Sequence, residues 1–555
     1  MRRTNWRTLS ALLVILALSG CASIPTSGQV NAGIELGDSN AVELDILARG
    51  PQDGDSPEQI LQGFLAAAAS PQLDYRIARE FLTAEFSKEW KPDSGTTVDR
   101  AADRAVSAEG ATASLRIKPL ASVSDDGVST AAAPGSAETR NYSLQEVSGQ
   151  WRISAAPQGI VIDQATFGIV FGTYALQFFS PDARFMVPDV RWFARRETTQ
   201  TAIVRAVVAG PVSWLQSGVT SAVPSGARLD ADSEPISGST ATINLAVDAM
   251  PSPAMLSRMR AQFLTSLNGV AGISAIELAI NGTVENIDPL LPAPTLTPRV
   301  DARPVVLTAD SFGFLSGVSA QVEPISALSG ALLRIAPDAI ALGQNASFAA
   351  ARTTNGIWRV TASGAQPVWT GPGWLPPSVD SAGGIWSARG ATRVSWQGAD
   401  GGSAEFATGW GSATVHALAL SRDGTRLAAL VQSGAGYRVV LSAIIRGGDG
   451  SPTGLGSAVA IADLPGPATE LAWADPVTIA VLGSEGGQSV ISLVVVGGQS
   501  TELSAPPAAI GFALGNSVRE LRVVDSTGQL LQPSGSSWQV KATGIRLLAD
   551  SPTLD

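Results

Sequence analysis

One cysteine and one histidine in 555 residues leave little material for reactive chemistry. With no second cysteine the chain forms no internal disulfide. A Ser-His-Asp triad has only His416 to build on, and a zinc site would have to do without the usual Cys and His ligands. No P-loop or dinucleotide fingerprint is present. Charge is also sparse, at 15% of residues, and lysine is reduced to Lys88, Lys91, Lys118 and Lys541. The balance is acidic, with a formal net charge of -11. That sign argues against nucleic acid and against broad electrostatic contact with anionic lipid, both of which need positive charge facing phosphates. Hydrophobic residues reach 45%, which describes a folded chain, and its length implies three or four domains. No cofactor and no metal are expected.

The single cysteine sits at a telling place. Arg2, Arg3 and Arg7 precede an apolar run from Leu9 to Leu18, the pattern of a signal peptide too short to span a bilayer. Leu18-Ser19-Gly20-Cys21 then reads as a bacterial lipobox, in which the Cys21 thiol takes a diacylglycerol and small Gly20 leaves room for the peptidase. Residues 1–20 are the expected signal peptide, and Cys21, with S-diacylglycerol and N-palmitoyl groups, the expected first residue of the mature protein. Cleavage there removes three arginines and no acids, taking the net charge to -14. The lipid must therefore anchor the protein to the outer, extracytoplasmic face of the cell membrane. Residues 21–40, rich in Ser, Gly, Asn and Pro, read as a flexible tether.

Residues 41–160 read as a first α+β domain. Ser56-Pro57-Glu58 is a helix start, and Ile60, Leu61, Phe64 and Leu65 fall on one helical face. A second helix is expected from Tyr75 through Phe81, Leu82 and Phe86 to Trp90, followed by short strands near 113–117, 142–147 and 151–153. Residues 161–290 read as a second α+β domain. A hairpin is expected there, with strands Tyr174–Phe179 and Phe185–Pro188 around Ser180-Pro181-Asp182-Ala183. Helices at 198–209 and 255–267 and strands at 243–247 and 276–280 follow, the last ending in an Asn281-Gly282 turn.

From residue 300 to 555 helical periodicity largely disappears. Short apolar strands alternate with Gly, Ser, Pro and Asp turns, and an acid-bearing turn before an apolar strand recurs at 336–339, 377–380, 421–424 and 472–475. Spacings near one blade of a β-propeller imply about six blades, with five or seven as alternatives and a jelly roll or paired sandwiches as the rival architecture. Asp230, Asp232 and Glu234 alternate in a pattern that suggests calcium ligands, but the loop lacks the glycine and bidentate glutamate of an EF-hand and reads as a solvated acidic loop. Asp125-Asp126-Gly127 reads as a turn, and His416 as a blade-end histidine bonded to its own turn.

The segments 174–184, 187–191, 204–211 and 220–229, followed by Ala261-Gln262-Phe263-Leu264-Thr265-Ser266-Leu267, resemble a GerMN domain. Lipobox, the helical Ile77-Ala78-Arg79-Glu80-Phe81-Leu82-Thr83, this block and a β-rich C-terminal half follow the order of the actinobacterial lipoprotein LpqB family. The resemblance implies an accessory lipoprotein that contacts the extracytoplasmic domain of a sensor histidine kinase, MtrB, and influences signalling through MtrA, with consequences for cell division and cell-wall homeostasis. It carries over no contact residues, because the matching motifs are mostly turn and core positions. A module that binds cell-wall material and a cryptic wall hydrolase are the other readings, although nothing selects a catalytic carboxylate pair among 48 acids. The expectation is therefore a binding protein, not an enzyme.

Overall fold

The computed structural model describes residues 48–555 except Pro134, 231–235, Gly238, 318–320, Ala391, Ser536, Asp550, Pro552 and Asp555. Leu18, Ser19, Gly20, Cys21 and the tether therefore lie outside the described residues, as do Asp232 and Glu234. Asp230 is described, and its carboxylate accepts a hydrogen bond from Asn244 at 2.8 Å.

The first domain begins with helix Pro57–Ala67, nucleated by a reciprocal cap. The Ser56 hydroxyl accepts from the Gln59 amide, and the Gln59 side chain accepts from the Ser56 amide at 2.8 Å. Its buried face presents Ile60, Leu61, Phe64 and Leu65. Phe64 meets Trp90 edge-on at 5.1 Å, which places the largest buried side chain of the domain over the helix. Burial of each such side chain contributes about 1.5–3 kcal/mol.

The expected long second helix is instead two short ones, Arg76–Arg79 and Ala84–Glu89. Residues 81–83 leave the helix to bond the strand Gln150–Ala155: Ile153 donates to the Phe81 carbonyl and Thr83 to the Ile153 carbonyl, both at 2.9 Å. The Thr83 hydroxyl then caps the second piece. Two four-stranded sheets complete the domain. One runs 105–109, 112–117, 138–147, 150–155, and the other 129–131, 121–124, 95–99, 160–163. Helix Gln164–Val170, absent from the sequence reading, leads out of it.

The second domain opens with a hairpin whose strands, Phe171–Phe179 and Met186–Ala194, pair along nine residues each. The return strand is longer than expected because Asp189 and Arg191 continue it, buried and paired with each other. On one face Tyr174, Leu176 and Phe178 enter the core beside helix Thr199–Ala209, which delivers Ile203, Val204 and Val207. Helix Pro253–Ser266 joins the parallel strands Thr240–Ala246 and Ala275–Ile280 across the same core, adding Met259 and Phe263. Asn281 and Gly282 both take positive φ, as the tight turn into Thr283–Val284 requires.

The third domain is a propeller of six blades among the described residues, five of them four-stranded and the fourth five-stranded, so the choice between five, six and seven falls on six. Blades two to six follow in order over 339–370, 378–407, 414–464, 468–504 and 509–542. Blade one is composite. Its strands Val305–Leu307, Phe312–Leu315 and Val322–Pro324 are completed by Leu547–Ala549 from the far end of the domain, with Val305 opposite Ala549. Three of the four sequence echoes mark one position, the turn after the innermost strand. There Asp380, Asp423 and Asp475 each accept backbone amides two to four residues on, at 2.8–3.0 Å. The fourth echo is out of step: Asp338 precedes the innermost strand of blade two and pairs with Arg352 at 2.7 Å. Helix also persists past residue 300, because Ser326–Ile335 turns Leu328, Ala331 and Leu332 into the space between blades one and two.

Candidate functional site: a cleft between the hairpin and blade five

The three domains meet at Trp192 on the return strand of the hairpin. Its amide donates to the Gly127 carbonyl of the first domain at 2.8 Å, its ring lies 4.8 Å from that of Phe167, and its indole N–H donates to the Gly497 carbonyl of blade five at 2.6 Å. Both glycines are needed. A Cβ on Gly127 would stand 2.9 Å from the Trp192 carbonyl oxygen, and one on Gly497 would stand 2.7 Å from that of Val190. Each also has positive φ, which other residues adopt at a cost.

Beside Trp192, Arg191 holds the turn expected at Asp125-Asp126-Gly127. Its guanidinium is 2% exposed and donates to both Asp189 oxygens, at 2.9 and 2.7 Å, and to the Asp126 carboxylate and carbonyl, both at 2.9 Å. Burial alone would weaken the arginine's hold on its proton, but the two carboxylates outweigh burial and raise its pKa. Asp126 is the converse case. Burial opposes its ionisation, yet the Ser124 hydroxyl and Arg191 hold its carboxyl below the usual range. A second clamp is Arg196, 2.8 Å from Asp93 of the first domain. Residues 216–218 seat against blade four, where a Cβ on Gly218 would stand 2.9 Å from that of Ala443.

With the hairpin held at these points, a cleft of about 490 Å³ stays open between its outer face and blades five and six. Thr173, Ala175 and Gln177 on one strand and Pro188, Val190 and Trp192 on the other form its hairpin wall. Val477, Leu493 and Val495 form the propeller wall. Three charged side chains line it: Arg195, Arg519 and Asp475. Gln177 is 8% exposed, and its side-chain oxygen has no hydrogen-bond partner among the described residues. Tyr174 also borders the cleft, and burial raises its pKa. A ligand here would meet an apolar floor, a few polar groups and a net positive rim, the composition of a binding site.

The propeller channel is tighter, with a cavity of about 100 Å³ at the end where the innermost strands finish. Arg422 lies across it, donating to the carbonyls of Trp473 at 3.1 Å and Gly515 at 2.6 Å. In the same turn Asp423 is buried against Arg426 at 2.5 Å, and the Arg426 guanidinium lies 4.7 Å from the Trp473 ring centroid of blade five. His416 joins none of these groups. A bulge at its position aims the ring across to the neighbouring strand, where Nε2 is 2.9 Å from Gln432 Oε1 and the ring 5.3 Å from that of Tyr437, instead of back to its own turn. Among the described residues no group of three or more His, Cys, Asp or Glu side chains is arranged to hold a metal ion. No described helix is long and apolar enough to cross a membrane.

The hairpin was legible in its alternating residues and turn, but the cleft was not. Its walls come from segments some 300 residues apart, and Trp192 carried no signal beyond being aromatic.

Three family models match the chain in succession: the lipoprotein LpqB N-terminal domain over residues 50–168, the sporulation and spore germination (Germane) domain over 175–286, and the lipoprotein LpqB beta-propeller domain over 316–549. Lipoprotein LpqB of Cutibacterium acnes is 28% identical over 404 residues, covering 72% of this chain and 65% of that protein. The match therefore spans just under two thirds of that relative. Lipoprotein LpqB of Rhodococcus opacus is 27% identical across 90% of this chain and 89% of its own, and that of Streptomyces coelicolor 26% identical across 96% and 95%. These models follow one another in the order of the three domains built above, and the chain belongs to the LpqB lipoprotein family.

Proposed function

We propose that the protein is a lipid-anchored accessory factor on the extracytoplasmic face of the cell membrane. It binds the external domain of an MtrB-like sensor histidine kinase and modulates signalling through MtrA, and so affects cell division and cell-wall homeostasis. Cys21, acylated after cleavage at the lipobox, holds it at the membrane. The observation that carries this reading is the junction at Trp192, which fixes three domains around one open cleft. A fixed composite surface suits recognition of a folded partner, because little ordering entropy remains to be lost on association.

Binding of residues 22–555 to the purified extracytoplasmic domain of the kinase is the test. Saturable binding at or below micromolar concentrations supports the reading, and none at tens of micromolar overturns it. A second reading, recognition of wall glycan, draws on Trp369 and Trp374. These half-buried indoles stack at 4.9 Å beside blade two, as sugar-binding platforms do. A soluble muropeptide that quenches tryptophan fluorescence in the native protein but not in Trp374→Ala supports it.

A further inference from the structure

The hairpin strand Phe171–Phe179 has one ladder partner, and its other edge is only partly used. Pairing alternates along such a strand, so every second residue turns its amide and carbonyl away from the partner. Here these are the odd-numbered residues. Gln177 donates its amide to the Ser266 hydroxyl at 2.9 Å, Phe179 donates to the Thr220 carbonyl at 2.9 Å, and the Phe171 carbonyl accepts from Arg195. Between these occupied positions stand Thr173 and Ala175. Both are half-buried, both line the cleft, and neither backbone has a partner for its outward groups among the described residues. Next to them is the unpartnered, nine-tenths buried oxygen of Gln177.

We infer that this edge is a docking site for an extended, acidic segment of a protein partner, which adds a third strand to the hairpin. Backbone donors and acceptors at alternate positions select an extended polypeptide over a sugar or a lipid. The free stretch of edge takes a segment of roughly four or five residues at about 3.3 Å each. Charge selects an acidic one: Arg195 and Arg519 line the cleft against the single Asp475, and the Asp475 carboxylate already accepts the amides of Val477 and Thr478. This is a positive site on a chain of net charge -11. The partner's identity rests on the function proposed above, while the chemistry of the edge does not.

The test follows hydrogen exchange of residues 171–179 in the protein spanning 22–555, alongside affinities measured for two probes. One probe is the kinase extracytoplasmic domain, and the other a set of twelve-residue peptides tiling it. Three variants accompany the native protein. Ala175→Pro removes one donor on an edge strand, where proline is tolerated. Ala175→Trp fills the cleft, and Arg519→Glu reverses an exposed charge. The expected result is slowed exchange at 171–177 with the domain and with at least one acidic peptide. Affinity should fall tenfold or more in each variant, and Arg519→Glu should shift preference toward basic peptides. Domain binding that is unchanged in all three variants, with no protection at 171–177, overturns the inference and leaves the proposed function standing. Acidic peptides that bind at the edge while the whole domain binds nowhere support the inference and overturn that function. Protection in the free protein that vanishes on deleting residues 22–40 assigns the edge to the chain's own tether and overturns the inference, as does protection by muropeptides alone.

Discussion

Trp192 spends each of its polar and aromatic contacts on a different neighbour: its amide on the first domain, its ring on the helix leaving that domain, and its indole N–H on blade five. Trp192→Phe keeps most of the apolar contact but leaves the Gly497 carbonyl without its donor. We expect a loss of about 1–2 kcal/mol, read as a lower midpoint in urea, with Trp192→Ala costing about 3–5 kcal/mol. Asp423 offers a sharper case. Asp423→Ala would strand the Arg426 guanidinium, itself fully buried, and should destabilise the propeller by about 3–5 kcal/mol. Replacing the pair together with apolar residues should cost far less, and a double-mutant cycle would reveal the difference. Titration supplies a third expectation. Burial pushes the Tyr142 hydroxyl up to about 12, so ultraviolet titration should find this phenol still protonated at pH 11 while the protein stays folded.

At the scale of elements, local pattern and tertiary demand part company in identifiable places. The helix over 57–67 was legible because cap, proline and apolar face all agree, and the turn at Asn281-Gly282 because few other residues accept positive φ twice in succession. Three of the four propeller echoes were legible because each carries an aspartate that folds its own turn. The break after Arg79 was not, since nothing within 75–90 announces that Phe81 and Thr83 will bond a strand seventy residues later. Nor was the second half of the hairpin: Asp189 and Arg191 look like surface residues until Asp126 and the Val212 amide arrive to satisfy them. Sequence reading misses buried polar networks for this reason, because partners distant in the chain make the burial affordable. Gly127→Ala tests the junction at this scale. Its added methyl would press on the Trp192 carbonyl, and we expect faster proteolysis within residues 121–131 with the propeller's own resistance unchanged.

Across the whole molecule, acid acts on several elements at once. Asp126, Asp163, Asp423 and Asp525 are each held below the usual carboxylate range in the folded protein. In Asp126 and Asp423 burial works against ionisation and the arginines and hydroxyls around them prevail. In Asp163 the amide of Ala101 leads, and in Asp525 amides of its own turn overcome burial. A depressed carboxylate contributes stability that is complete above its unfolded value and is lost as pH falls through its folded one. The thermal midpoint should accordingly be level from pH 6 to 8 as far as these groups govern it, and should fall once pH drops below about 4. Tryptophan emission near Trp192 should shift red in the same range as the Asp126 contact is lost.

The strand Leu547–Ala549 lies beside Val305–Leu307, so the first blade waits for a strand some 240 residues further along. A ribosome delivers residues in order, and the two N-terminal domains hold all their own strands by residue 284. They can therefore be finished objects while the ring is still an open arc whose two ends expose unpaired strands. The blade that closes last is also the blade that begins first. Chronology is thus built into the topology, and the interval between the two events is the period in which this protein is most exposed to aggregation and in most need of protection.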